Sequence, residues 1–149
     1  MEKITFDSGV KTYQINDSGL LRFNPSDPNL YARFLNAVDK LQELEKGLEI
    51  ANDAENGKAT GETVIRIMAQ ADIRAKKVLT EVFGKENNFD EIFEGVNILA
   101  VAGNGERVIT NFLEAMLPII QEGAEKCARS YADVAVKEAE AARAAREAL

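Results

Sequence analysis

The chain reads as an α+β fold, mostly α: a small N-terminal antiparallel β hairpin or meander packed on a helical bundle, continued by a long C-terminal helical tail. Three observations predict this class. Short runs rich in Thr, Tyr, Phe and Ile are confined to the first two dozen residues, two longer segments carry apolar residues at spacings of three and four, and the ending is dominated by Ala, Glu and Arg. At 149 residues the chain suits one domain over 1–128, followed by the tail 129–149.

The β unit spans 1–24. Its runs ITFD, KTYQIN and LLRF are divided by Ser8-Gly9 and Asp17-Ser18-Gly19, which are turn signals. FNPSDPNLYARF then switches from strand to helix. Asp27 suits an N-cap and Pro28 a first helical position, because proline has no N–H to lose there and its φ already fits. Leu30, Phe34, Val38, Leu41, Leu44, Leu48 and Ala51 make one apolar stripe, predicting a helix over about 28–52.

The polar stretch NDAENGKATG predicts an exposed loop, after which Thr60 or Gly61 starts a helix over about 61–83 carrying Val64, Met68, Ala71, Ala75, Val78 and Val82. Gly84 sits where a left-handed residue ends a helix. These two helices are expected to pair as an antiparallel hairpin.

VFGKENNFDEIFEG, which follows, places Phe83, Phe89 and Phe93 in a polar connection ending at Gly95. A short helix over about 88–94 puts Phe89 and Phe93 on one face, either as a lid on the helical hairpin or as a docking surface. Val96 to Ala102 is apolar enough for one or two buried helical turns. A helix over about 104–128, capped by Asn104, carries Val108, Phe112, Leu113, Met116, Leu117 and Ile120, and Pro118 is expected to kink or end it before a restart near Glu122. Beyond Cys127 the stripe thins to Tyr131, Val134, Ala141, Ala145 and Leu149, so the tail either projects and frays or pairs with another chain.

Composition narrows the function. A net charge of -7 argues against nucleic-acid binding, which needs surplus Lys and Arg on one face. No apolar run nears the roughly 18 residues of a membrane span, and the N-terminus is unlike a signal peptide, so a cytoplasmic protein is expected. There is no histidine, hence neither the commonest general base nor the commonest transition-metal ligand. Cys127 is the sole cysteine; without a base it reads as a small buried hydrophobe.

The carboxylate pairs Glu91 and Glu94, Asp39 and Glu43, and Glu138 and Glu140 lie on polar faces or linkers, where solvation explains them better than acid-base work. AGNGER offers Gly103 and Gly105 ahead of a helix, but no phosphate-loop Lys and Ser/Thr follow. NNFDEIFEG lacks the alternating oxygen ligands of a calcium loop. No enzyme, no cofactor and no metal are expected.

A phrase like VFG, a few polar residues, IF-G and a later NFLEA-P-I is carried here by Val82, Phe83, Gly84, Ile92, Phe93, Gly95, Asn111, Phe112, Leu113, Glu114, Ala115 and Pro118. Over most of residues 20–120 the chain thereby resembles the tail assembly chaperones of siphophages and of prophages in Gram-positive bacteria. The resemblance implies a small, largely helical, self-associating protein of the host bacterial cytoplasm. Such a protein coats the aggregation-prone tape measure protein and helps recruit the major tail protein, and a frameshifted longer form often accompanies it. Under this reading Phe89, Phe93, Phe112 and Met116 form a groove wall, and the tail, with Tyr131 and Val134, serves self-association or client contact. The ending AEAARAAREAL departs from the compact family pattern. The alternatives are a structural virion or head-tail adaptor subunit and a helical regulatory protein that binds one host partner.

Overall fold

The computed structural model describes residues 1–54 and 61–148. The architecture is α+β and mostly α: strands β1 (Lys11–Ile15) and β2 (Gly19–Phe23), then helices α1 (Pro28–Ala54), α2 (Gly61–Phe83), α3 (Phe89–Ile92) and α4 (Val108–Glu147). Residues 55–60 of the NDAENGKATG connection, Thr60 among them, lie outside the described residues, as do the side chain of Ala51 and Leu149.

β1 and β2 pair antiparallel, with Tyr13 opposite Leu21 and Ile15 opposite Gly19. Asn16, at the turn, takes a positive φ of 51°, a conformation asparagine tolerates better than most residues. Leu21 and Phe23 are buried beneath the hairpin, whereas Leu20 and Arg22, which alternate with them, are exposed, the pattern of a sheet with one wet face. ITFD forms no third strand: residues 1–10 are irregular and exposed. Local bonds take the place of a ladder there, with Gly9 N–H donating to the Asp7 carboxylate (2.8 Å) and the Asn24 amide donating to the Ser8 carbonyl (3.1 Å).

α1 begins as its sequence demands. Pro28 is its first residue, and the Asp27 side chain accepts from Asn29 N–H at 2.9 Å. Its stripe buries Leu30, Phe34, Ala37, Leu41 and Leu48. α1 and α2 run antiparallel, since contacts of rising number in one meet falling numbers in the other: Arg33 donates to the Val82 carbonyl (3.0 Å) and Lys40 meets Glu81 (3.1 Å), while Leu44 lies near Arg74 and Val78. α2 ends at Gly84, whose φ of 108° suits a residue without Cβ.

Four expectations about the second half are corrected. Val96 to Ala102 is not helical. It is a looped segment whose Ile98 and Leu99 are wholly buried while Val96 and Val101 are exposed. The Asp72 carboxylate accepts from Ile98 N–H (2.8 Å), Asn97 donates to the Met68 carbonyl (3.0 Å), and Arg107 donates to the Leu99 carbonyl, so α2 and Arg107 satisfy a backbone that no helix serves.

Asn104 does not cap α4. Gly105 at φ 85° and a bridge between Val101 and Arg107 close a tight turn first, and the helix starts only at Val108. Asn104 instead exchanges side-chain amide bonds with Asn111 (2.9 and 3.2 Å).

Pro118 neither ends nor restarts the helix, because α4 runs 40 residues through it. Proline leaves one carbonyl, that of Glu114, without its intrahelical donor. Both residues face solvent, where water serves the freed oxygen. Cys127 is partly exposed instead of buried. From Ala128 to Ala148 every residue is exposed, so the tail is the unsupported half of one helix.

Candidate functional site

The aromatic side chains of the connection after α2 are set from both ends. Asn88 caps α3, accepting from Asp90 and Glu91 N–H, and Gly95 (φ 75°) returns its N–H to the Asp90 carbonyl at 2.7 Å. This short, doubly fastened turn drives Phe89 and Ile92 inward, 2% and 4% exposed. Phe89 packs against Phe83 (5.9 Å between centroids) and Phe112 (6.5 Å), and Phe83 continues the chain to Phe23 (5.2 Å) and Tyr13. Aromatic contacts such as the edge-on pairs of Phe83 with Phe23 and of Phe89 with Phe112 contribute about 0.5–1.5 kcal/mol each beyond their burial.

Asn87 joins this turn to the sheet. Buried to 4% exposure, its amide accepts from Arg22 N–H (2.8 Å) and donates to the Arg22 carbonyl (2.9 Å) and the Phe83 carbonyl (2.9 Å). One side chain thus matches the pairing pattern of a third strand along β2 and also closes the end of α2. Nearby, buried Lys76 bridges Asp72 (2.8 Å) and Asp90 (2.7 Å). Burial pulls the Lys76 ammonium down, but the hydrogen bonds and charges of the two carboxylates outweigh it and hold the group above its ordinary value.

Beside this scaffold lies a groove of about 620 Å³ between β1, the turn after α3, and α4. The depressions between α1 and α2 are smaller, about 200 and 380 Å³, and bordered by Lys40 and Glu81. Phe93, Phe112, Met116, Ile119, Tyr13 and Ile15 give the groove an apolar wall. Phe93 meets Phe112 edge-on at 5.2 Å. Burial, with the Glu122 charge adding to it, pushes the Tyr13 phenol up, so it stays neutral at neutral pH.

Of the four residues expected to form a wall, Phe93, Phe112 and Met116 line this groove, and Phe89 does not: it sits behind them in the core. The four-residue spacing that puts Phe89 and Phe93 on one face spans a helix too short to keep both at the surface. Tyr131 (79% exposed) and Val134 (54%) stand far along α4, in a stretch where every residue is exposed. Sequence reading missed Tyr13 and Ile15, whose inward alternation on β1 was the available signal, and missed Asn87, which carried none beyond its polarity.

The chemical candidates disperse. Glu91, Glu94, Asp39, Glu43, Glu138 and Glu140 are all exposed. Gly103 and Gly105 precede α4 by a full turn and do not present its N-terminus. Among the described residues no group of three or more His, Cys, Asp or Glu side chains is placed to hold a metal ion, and no helix is long and apolar enough to cross a membrane. Comparison of the chain with protein-family models, with curated proteins and with solved structures returns no match.

Proposed function

We propose that this is a non-catalytic tail assembly chaperone of a phage or prophage, acting in the host bacterial cytoplasm. It binds and solubilises the tape measure protein and helps recruit the major tail protein. The observation that carries this reading is the apolar groove itself, whose wall of Phe93, Phe112, Met116 and Ile119 offers a client contact surface without converging charge. The family-like phrase from Val82 to Pro118 supplies two of those four residues, Phe93 and Phe112. A net charge of -7 supports solubility while such a surface is presented.

Co-expression with the adjacent, coiled-coil-rich tape measure protein, followed by light scattering, tests the proposal. A soluble complex with many copies per client is expected. A client that stays insoluble while this chain runs alone as a defined species sinks the chaperone reading.

The exposed half of α4 favours a second reading, a structural or adaptor subunit that interlocks with neighbours in the virion. That subunit is retained in purified particles, whereas a chaperone is absent from them.

A further inference from the structure

The two edges of the hairpin are unequal. Asn87 occupies the outer edge of β2 through the N–H and carbonyl of Arg22. Those groups therefore point away from β1, and so the pair of Arg22 with Thr12 is of the non-hydrogen-bonded kind. It follows that the N–H and carbonyl groups of Thr12, and of Gln14 two residues on, point outward along the other edge of β1. Among the described residues no strand pairs with that edge. It borders the groove: Gln14 and Asn16 line it together with the inward-facing Tyr13 and Ile15, so the groove reaches the edge of β1 as well as its inner face.

The chain also carries an unused strand. Residues 1–10 are exposed, and within them Ile4 (87% exposed) and Phe6 (78%) alternate with Lys3, Thr5 and Asp7. The bond from Asn24 to the Ser8 carbonyl fastens the root of this arm to the residue after β2, and none of residues 1–10 pairs with β1. We infer that the arm of a second copy adds antiparallel to the open edge of β1, seating Phe6 beside Tyr13 and Ile4 beside Ile15 so that both side chains fill the groove. In this register the main-chain bonds run from Thr12 and Gln14 to Asp7 and Thr5. Phe6 and Tyr13 form the close, non-hydrogen-bonded kind of pair, in which aromatic side chains gain most. A free edge beside apolar surface is otherwise a standing aggregation hazard, and this occupant removes it. The inference does not rest on the client reading, but it concerns the same groove: an arm seated there covers wall that is offered to a client, so arm and client compete for it.

Light scattering of the full chain against the double variant Ile4→Asp/Phe6→Asp tests it. The substituted residues are exposed, so the helical circular dichroism is expected to stay unchanged while a dimer or larger assembly falls to monomer. A native chain that runs as a monomer, or a variant that keeps the native mass, overturns it. Contact is checked in a Cys127→Ser background by mixing chains bearing Thr5→Cys with chains bearing Gln14→Cys. A disulfide-linked dimer is expected only in the mixture, because residues opposed across a sheet meet the required spacing. A double variant of one chain that closes the link within itself places the chain's own arm on the edge and also overturns the exchange.

Discussion

Gly123 is the residue at which α4 meets the start of α1. It is buried, and a Cβ built there would overlap the Pro25 carbonyl oxygen, a backbone atom that cannot swing aside. Gly123→Ala is expected to destabilise the fold by about 1–3 kcal/mol, read from the denaturant midpoint, even though alanine is the better helix former. An unchanged midpoint would mean that α4 shifts freely over the Pro25 loop. Lys76 makes a second prediction. Its pKa is raised in the fold, so its ion pairs contribute fully below the ordinary lysine range and are lost as pH rises through the folded value. Lys76→Met is expected to cost about 3 kcal/mol at neutral pH, since it strands the nearly buried Asp72, and the gap between the two proteins should narrow above about pH 10. A constant gap would exclude the titration. Neither role was legible in the sequence: a lysine one position off an apolar stripe looks solvated until Asp90 arrives from another element.

At the scale of elements, local rules located the helices that local chemistry starts and stops. Asp27-Pro28 and Gly84 mark their boundaries by capping and φ, and the structure places α1 and α2 there. The errors fall where tertiary bonds override local ones. Val96 to Ala102 looked helical because it is apolar, but Asp72 and Arg107 satisfy backbone groups of Ile98 and Leu99 from outside, and the Asn97 side chain ties the segment to the Met68 carbonyl. Pro118 looked like a stop because sequence does not tell which side of the helix faces water. The exposed end of α4 is held only by propagation from the packed half, which has already met the cost of nucleation. Truncation after Ala128 is therefore expected to move the unfolding free energy of the remainder by no more than about 0.5 kcal/mol, measured by denaturant titration. A large loss would reveal contacts that full exposure of that half excludes.

At the scale of the whole molecule, the fold class was legible because its two signals, short β-type runs and long stripes, occupy separate parts of the chain. The groove was only partly so. Phe93, Phe112 and Met116 belong to elements whose phase the sequence sets, but which of the neighbouring aromatics turns inward was decided by Asn88 and Gly95 fastening α3 so tightly that Phe89 goes to the core. The opposite wall, Tyr13 and Ile15, is reached only through the docking of the hairpin on Ile92, whose carbonyl lies close enough to Gly19 to leave little room for a side chain there.

The sealing of β2 by Asn87 sets the valence of the molecule. If arms are exchanged as inferred, Asn87 on the Arg22 groups leaves each copy the edge of β1 to accept a strand and one arm to donate. Two copies that exchange arms reciprocally saturate one another. Copies that donate onward form a ring or a thread in which the strands are strung along the assembly as separate three-stranded patches, not stacked into one growing sheet. The same amide that finishes a helix thus stands against one continuous sheet growing through the assembly.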